Sequence, residues 1–415
     1  MDPEPERKRR ETPVMSTAKT RNTPLILLMI NMFIAMLGIG LIIPVLSEFL
    51  AEFGAGGKAA GNLVAAFGLT QFLFSPIGGE WSDKYGRKIM IVSGLALFSI
   101  SNLLFALASE LWLLYLSRLI GGIGAAAMIP AMMAYVADTT TEEQRGKGMG
   151  LLGAAMSLGF VIGPGIGGLL AAFGLRTPFF VSAGFGLLAM IGSLLVLPET
   201  LTKAKMREHR EAVVKKESIF LQFARSFKAP YFILLLLVFT LTFGLANFET
   251  IFPLFVDRKY GFDTGDIAIL ITVGALIGTF IQAALIDRLI RRFGERKLIN
   301  ASFLVSALTL VLMLLSGNFW YVLGVTILFF TFTAIMRPAI NTLLSKMAGE
   351  EQGFVAGMNN AYMSLGNICG PMLAGVLFDQ HADYPYLLAA LILLGSLAVS
   401  TVWGRRVKSK SAQAA

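Results

Sequence analysis

The sequence predicts an all-α membrane protein: twelve transmembrane helices in two pseudo-symmetric six-helix halves. Three observations predict it. Hydrophobic residues make up 55% of the 415 residues, with a mean hydropathy of +0.71, above the roughly 45–50% apolar share of soluble domains. Apolar stretches of about 18 residues or more, enough to cross a bilayer, recur near 24–46, 59–81, 89–108, 111–137, 148–173, 178–197, 231–256, 266–286, 297–316, 319–344, 353–378 and 384–403. The frame Gly150-x8-Gly159-x3-Gly163-Pro164-x2-Gly167-Gly168 returns 207 positions later as Gly357-x8-Gly366-x3-Gly370-Pro371-x2-Ala374-Gly375.

That frame would suit a soluble helix badly, at roughly 1 kcal/mol per glycine and about 3 for an interior proline. In a membrane the balance changes, because small residues let helix backbones approach and neighbours re-satisfy what proline frees. The repeat extends beyond it. Trp112 and Pro130 recur as Trp320 and Pro338, 208 positions on, Pro44 as Pro253, and Asp83 as Asp287, 204 on. Near-constant offsets over four pairs of elements indicate a duplicated half.

Charge sets the orientation. With both termini cytoplasmic, 29 of the 35 Lys and Arg residues fall on the inside, and only Lys58, Arg176, Arg258 and Lys259 fall outside. This is the positive-inside rule, so the net charge of +9 needs no nucleic-acid partner. Trp81 and Trp403 fall at inner span ends, Trp112 and Trp320 at outer ends, as an aromatic belt requires. Cys369 is the only cysteine, which excludes an intramolecular disulfide. His209 and His381 lack metal-site spacing and are expected to be solvated loop residues. No metal and no cofactor is expected.

Along the chain, residues 1–23 are polar and basic and are expected to be a disordered tail without a cleavable signal peptide. The halves occupy 24–198 and 231–403, and 404–415 form a C-terminal tail. Between the halves, the charged stretch 199–230 is a cytoplasmic linker, read as a solvated tether, with Ile219–Phe227 a candidate interfacial helix. Two six-helix halves related by an axis along the membrane normal describe the major facilitator fold. A substrate site would then lie between the halves near the midplane, with transport by rocking one half against the other.

After the second span, Gly79-Glu-Trp-Ser-Asp83-Lys-Tyr-Gly86-Arg87-Lys88 reads as a tight cytoplasmic turn. Arg87 has a natural partner in Asp138, and the set is read as a cytoplasmic latch closed in the outward-facing state. Topology-setting charge is the plainer alternative. The second copy, Asp287-x6-Gly294-x-Arg296, reads as four residues longer and its latch as weaker or differently shaped.

These motifs carry a resemblance. The Gly79–Lys88 loop, Arg118-x-x-Gly-Gly-x-Gly and the Gly-Pro stretch resemble three signatures of major facilitator drug–proton antiporters. The segments Phe243-Gly-Leu-Ala-Asn-Phe-Glu249-Thr, Arg337-Pro-Ala-Ile and Ala348-Gly-Glu-Glu-Gln-Gly-Phe are closer to NorA/Bmr-type multidrug efflux pumps of Gram-positive bacteria. So is Gly366-Asn-Ile-Cys-Gly-Pro, and the resemblance covers nearly all twelve spans. It implies a multi-pass protein of the bacterial cell membrane that exchanges protons for small amphipathic drugs or dyes. Its partners would be the lipid bilayer, protons and those drugs, and a monomer is expected.

Intramembrane charges are costly and are functional candidates by default. Only Arg118, Glu249 and Arg337 lie well inside spans. Glu249, four residues before Pro253, is the candidate proton-coupling group. Deprotonated, it attracts a cationic substrate; protonated, it releases it. A permanently paired structural glutamate is the alternative. The NorA-like pattern has an aspartate three residues before the arginine of the tenth span, where this chain has Ala334. A two-acid proton pathway, and its stoichiometry, therefore do not carry over. Arg118 resembles an arginine that the family implicates in proton transfer. It either acts on a nearby carboxylate or bonds backbone carbonyls across the Gly-rich interface. Arg337 either lines the cavity, as its motif implies, or is a static counter-charge to Glu249.

Further cavity candidates are uncharged. Gln71 lies one turn from Phe67. Asn359, Tyr362, Met363, Gly366, Asn367 and Gly370 form one helical stripe, read as cavity-lining or bonded to a neighbouring helix. Met36, Phe160, Phe243, Phe248 and Phe330 are candidate walls, since adaptable Met and aromatic surfaces suit promiscuous ligands. The Gly-Pro elements, with Gly150, Gly159, Gly163, Pro164, Gly167, Gly168, Gly366, Gly370 and Pro371, are expected where spans 5 and 8, and 11 and 2, meet between the halves. No Gly-x4-Gly-Lys-Ser/Thr sequence supports an ATP-driven pump, no catalytic constellation an enzyme, and no filter-like segment a channel. A proton-coupled carrier of one metabolite is the main rival, and a membrane sensor a weaker one.

Overall fold

The computed structural model describes residues 23–211 and 219–413, and the N-terminal tail expected at 1–23 lies almost wholly outside them. All regular elements among these residues are α-helices. The first half contains α1 (Thr23–Gly40), α2 (Ile42–Ala51), α3 (Gly57–Tyr85), α4 (Arg87–Leu107), α5 (Leu111–Thr139), α6 (Glu142–Ala171) and α7 (Thr177–Val196). The linker holds α8 (Lys203–Glu211) and α9 (Ile219–Ser226). The second half contains α10 (Phe232–Tyr260), α11 (Thr264–Phe293), α12 (Glu295–Leu312), α13 (Phe319–Ala348), α14 (Gln352–Gln380) and α15 (Tyr384–Gln413).

With α1 and α2 as one span, eleven spans among the described residues are long and apolar enough to cross a membrane. The twelfth, α12, has 18 residues and opens on Glu295, Arg296 and Lys297, which shortens its apolar run. Its packing identifies it. In the first half α1 packs on α6, α3 on α5, and α4 on α5 and α7; in the second, α10 packs on α14, α11 on α13, and α12 on α13 and α15. Two apolar clusters form: one within the first half around Met32, Met128 and Tyr135, and one around Phe252, Phe255 and Phe303 of the second half that continues into Phe49, Phe105 and Phe179 of the first. At roughly 25 cal/mol per Å² such burial stabilises helix contacts only against water-exposed states, so close packing supplies what lipid does not.

Calling the linker side inner, the halves touch through their outer and middle portions. Asp379 accepts from the amides of Gly57 and Lys58 at 2.8 and 2.9 Å, Asp257 from Ser47 Oγ at 2.5 Å, and Glu48 from Thr264 Oγ1 at 2.5 Å. Toward the inner side the halves part. Among the described residues, nothing lies within 4 Å of the place a Cβ would take on Gly79, Gly150, Gly153, Gly353 or Gly357. The arrangement is open to the inside and closed to the outside.

Several expectations change at the inner side. The turn after the second span is shorter than the motif implies: α3 stays helical to Tyr85, so Gly79 and Asp83 are helical and only Gly86 turns. Gly86 and Gly294 share one turn conformation (φ 110°, ψ 150° and φ 76°, ψ 154°), which a Cβ would strain. They lie 208 positions apart, and α11 runs unbroken to Phe293. The counterpart of Asp83 is therefore Arg291, and Asp287 corresponds to Gly79; no extra turn is inserted. Trp403 is no belt residue, because it is buried beneath Arg296, whose guanidinium lies 5.0 Å from its ring centre.

The linker is not a free tether at either described end. His209 lies on α8, where Arg210 Nε bonds the Lys84 carbonyl at 2.9 Å and stacks on Tyr85. At the other end α9 docks on the second half: Ser226 Oγ bonds the Tyr362 hydroxyl at 2.9 Å, Phe223 packs on Tyr362, and Arg225 pairs with Glu351. Through Phe223 and Ser226, α9 is set against Tyr362 of α14.

Candidate substrate and proton site

A pocket between the halves, just outward of the middle, is lined by Ile43, Phe160 and Pro164 from the first half and Phe248, Glu249, Ile271, Ala275 and Phe330 from the second. The local sequence explains the walls. Gly274 and Gly278 on α11 leave no side chain where Phe330 and its backbone pass, at 2.9 Å from each would-be Cβ. Close approach of α13 follows, and it sets the Phe330 ring at 88° to Phe248, with ring centres 5.7 Å apart. Phe248 is in turn fixed by Phe252 at 4.8 Å and Phe329 at 4.3 Å. Two rigid aromatic faces thus stand beside one carboxylate.

Glu249 is half-buried and has no hydrogen bond, and no ion pair within 4.0 Å, among the described residues. The charge that acts on it is Arg337, seven residues inward of Phe330 on α13. Arg337 is exposed to the inner opening, and its Nη2 contacts Met363 Sδ at 3.6 Å. It does not neutralise Glu249 by direct contact. A carboxylate held among Phe side chains can attract a cation that also stacks on the rings, since aromatic faces favour cations.

Of the residues singled out in the sequence, the pocket brings together Phe160, Phe248, Glu249 and Phe330, with Pro164 from the Gly-Pro element. Others lie elsewhere, each for a packing reason. Met36 is buried in the first half's core, its Cβ filling the space above Gly159. Phe243 is buried and stacks near Phe239, its carbonyl 2.5 Å from where a Cβ on Gly370 would sit. Phe67 and Gln71 are half-buried where α3 passes Gly121 and Gly122 of α5. Tyr362 is bonded to Ser226 and does not reach the pocket.

The stripe on α14 is therefore split. Gly366 and Gly370 face α10, and Asn359 turns its amide to Met363 Sδ at 3.8 Å. Asn367 is exposed beside α3, where its carbonyl lies 4.0 Å from a Cβ on Gly68. Sequence spacing misses Ile43, Ile271 and Ala275, apolar residues without any local signal; only the cross-half register brings them in.

Arg118 meets neither expectation. It is buried against Phe105, with the guanidinium 4.4 Å from the ring centre, and its Nε and Nη2 have no hydrogen-bond partner among the described residues. No carboxylate or carbonyl of the described residues engages it. The pairing of Arg87 with Asp138 expected from the sequence is present, and in this inward-open state the whole set lies within the first half. Arg87 pairs with Asp83 at 2.5 Å and Asp138 at 3.1 Å and bonds Ser82, all on α3 to α5, while the inner side is open. Glu199, which sequence reading passed over, caps α4 by accepting from the amides of Arg87 and Lys88 at 2.9 and 3.0 Å.

The Gly-Pro elements work on two faces. Gly159, Gly163 and Gly167 face the first span; a Cβ on Gly163 would lie 2.7 Å from Gly40 Cα and 3.0 Å from the Leu37 carbonyl. Gly168 instead meets Ala268 and Thr264 of α11 across the halves, as Pro371 and Gly375 meet Gly61 and Gly57 of α3. Most of the motif therefore packs inside its own half, and its outer end makes the contact between halves. Among the described residues, nothing lies within 4 Å of a Cβ placed on Gly150.

The chain matches the family model described as Major Facilitator Superfamily over residues 28–292 and 283–415. It is 45% identical over 383 residues to Multidrug resistance protein 1 of Bacillus subtilis (strain 168), covering 92% of this chain and 97% of that one. It is 42% identical over 393 residues to Multidrug resistance protein 2 of the same organism, covering 94% and 98%. It is 35% identical over 380 residues to Quinolone resistance protein NorA of Staphylococcus aureus (strain COL), covering 91% and 96%. Among solved structures, a bacterial homologue of the human lysosomal transporter Spinster, in an inward-facing and occupied conformation, aligns with a TM-score of 0.77 at 16% identity, covering 94% and 98%. The nucleoside transporter NupG aligns with a TM-score of 0.74 at 14% identity, covering 93% of this chain and 99% of that one. Helix order, paired halves and these matches agree: the chain belongs to the Major Facilitator Superfamily.

Proposed function

We propose that the chain is a proton-coupled multidrug efflux antiporter that exports amphipathic cationic or zwitterionic compounds by alternating access. One observation carries the reading: Glu249, without a hydrogen-bonding partner among the described residues, lines an aromatic pocket formed by both halves. A cation can occupy that place only while Glu249 is charged, so a proton and a drug compete for one group. The names of its relatives, multidrug and quinolone resistance proteins, support the substrate class. The pocket wall holds no amide and no hydroxyl side chain, which disfavours a sugar carrier.

In this reading the linker side is cytoplasmic, with both termini on it, as 29 inward Lys and Arg residues favour. The two halves rock as units, exchanging the outer contacts for inner ones. Arg337, exposed on the inner opening, meets the substrate on entry, and the Gly-Pro elements keep the first and seventh spans close to their neighbours. Purified protein in liposomes tests the proposal: an imposed pH gradient is expected to drive ethidium transport, and a panel of sugars and organic acids is not. Gradient-driven flux of one metabolite, with none of any dye, would overturn it.

A further inference from the structure

Two ion pairs on the inner side occupy equivalent places with opposite polarity. In the first half Arg87, the first residue of α4, pairs with Asp138 near the end of α5 at 3.1 Å. In the second half Glu295, the first residue of α12, pairs with Lys346 near the end of α13. Both partners are displaced by 208 positions, and each pair directly follows a turn glycine of positive φ, Gly86 or Gly294. Burial separates the members. The Arg87 and Glu295 side chains are 10% and 15% exposed, whereas those of Asp138 and Lys346 are 28% and 61% exposed. One half therefore offers a carboxylate to inner water at the end of α5, and the other an ammonium at the end of α13.

The outer side supplies the template. There α2 meets α10 across the halves, with Ser47 donating to Asp257 at 2.5 Å. Within each half of this fold the first three spans are related to the last three by an inverted repeat, so the outer ends of α2 and α10 correspond to the inner ends of α5 and α13. We propose that Asp138 and Lys346 pair across the halves when the inner side closes, as the inner counterpart of Ser47 and Asp257. The inverted polarity makes this contact attractive; with identical clamps two carboxylates would meet. Each residue keeps its own-half partner, so the closed side carries one chain of alternating charge, Arg87, Asp138, Lys346 and Glu295. Such charges act within roughly a Debye length, about 8 Å at physiological salt, so the pairing holds a nearly closed state rather than steering from afar.

The inference rests on the alternating closure proposed above and is independent of Glu249. The antiparallel register of α3 and α14, with Gly57 against Gly375 and Phe378, Gly61 against Pro371 and Gly375, and Gly68 against Ile368, provides a control. Extended inward, it places Gly79 within about one turn of Gly357. In a Cys369→Ala background, Asp138→Cys/Lys346→Cys and the control Gly79→Cys/Gly357→Cys are treated in membranes with a short bis-maleimide. Both are expected to cross-link within one chain. Cross-linking of the control alone overturns the pairing, and of neither overturns the closure beneath it. Charge is read separately: Lys346→Glu is expected to slow control cross-linking at least about threefold, and Lys346→Arg to leave it near the original rate. Equal rates for the two variants overturn the proposal.

Discussion

Asp379 and Gly57 are joined across the two halves: the carboxylate near the end of α14 accepts the Gly57 amide at the start of α3 at 2.8 Å. A carboxylate at a helix N-terminus meets unsatisfied N–H groups and the positive end of the helix dipole. Together with Asp257 and Glu48 it makes the outer closure a set of three carboxylates, each bonded across the halves.

Asp379→Asn weakens the tie that bonds two amides while keeping its shape. Charge-assisted bonds on an exposed rim contribute about 1–2 kcal/mol after solvent screening, a shift of roughly tenfold toward the outward-open state. The shift is measurable as faster labelling, by an impermeant maleimide from outside, of a cysteine placed at Ile43. Unchanged labelling would show that the tie does not hold the outer side.

The two faces of the Gly-Pro element separate folding from transport. Gly163→Val must displace Gly40 and the Leu37 carbonyl, both within 3.0 Å of its Cβ, at a cost of about 1–3 kcal/mol or more. Lower melting temperature in detergent is expected. Gly150→Val meets nothing in this state, so its melting temperature should stay within a degree or two while turnover falls, because the inner side can no longer close fully. Equal loss of stability in both would contradict the open inner side.

Docking of α9 depends on Glu351, whose carboxyl is held below the usual range first by the Tyr231 hydroxyl and then by Arg225. A lowered value means that the favourable contribution is present above the unfolded-state value, about 4.3. It is lost as pH falls through the lower folded-state value. Hydrogen-exchange protection of α9 should thus be flat from pH 7 to 5 and fall only in stronger acid. Glu351→Gln should reduce protection at neutral pH.

The architecture was legible because membrane helices must be long and apolar and a duplicated half leaves fixed offsets. The site was legible only in part. Glu249 stands out as an acid in an apolar run, and Phe248 and Phe330 flank the charges that mark the cavity. Met36, Phe243 and Tyr362 carry the same residue chemistry, but neighbouring helices bury them, and side-chain direction across a bundle is not written in spacing along one helix. The 204-residue offset of Asp287 misled for a related reason: the acid repeats, while the turn that defines the register is set by Gly86 and Gly294. The inverted pair Glu295 and Lys346 hides from motif matching because both charges changed sign together.

The most direct test of the account is Glu249→Gln in liposomes with an imposed pH gradient and ethidium. The glutamine keeps the shape of the pocket and removes the group for which, in the proposed function, proton and cation compete. Gradient-driven ethidium transport is expected to fall at least about a hundredfold, with the protein still folded. Full gradient-driven transport by that variant would contradict the account.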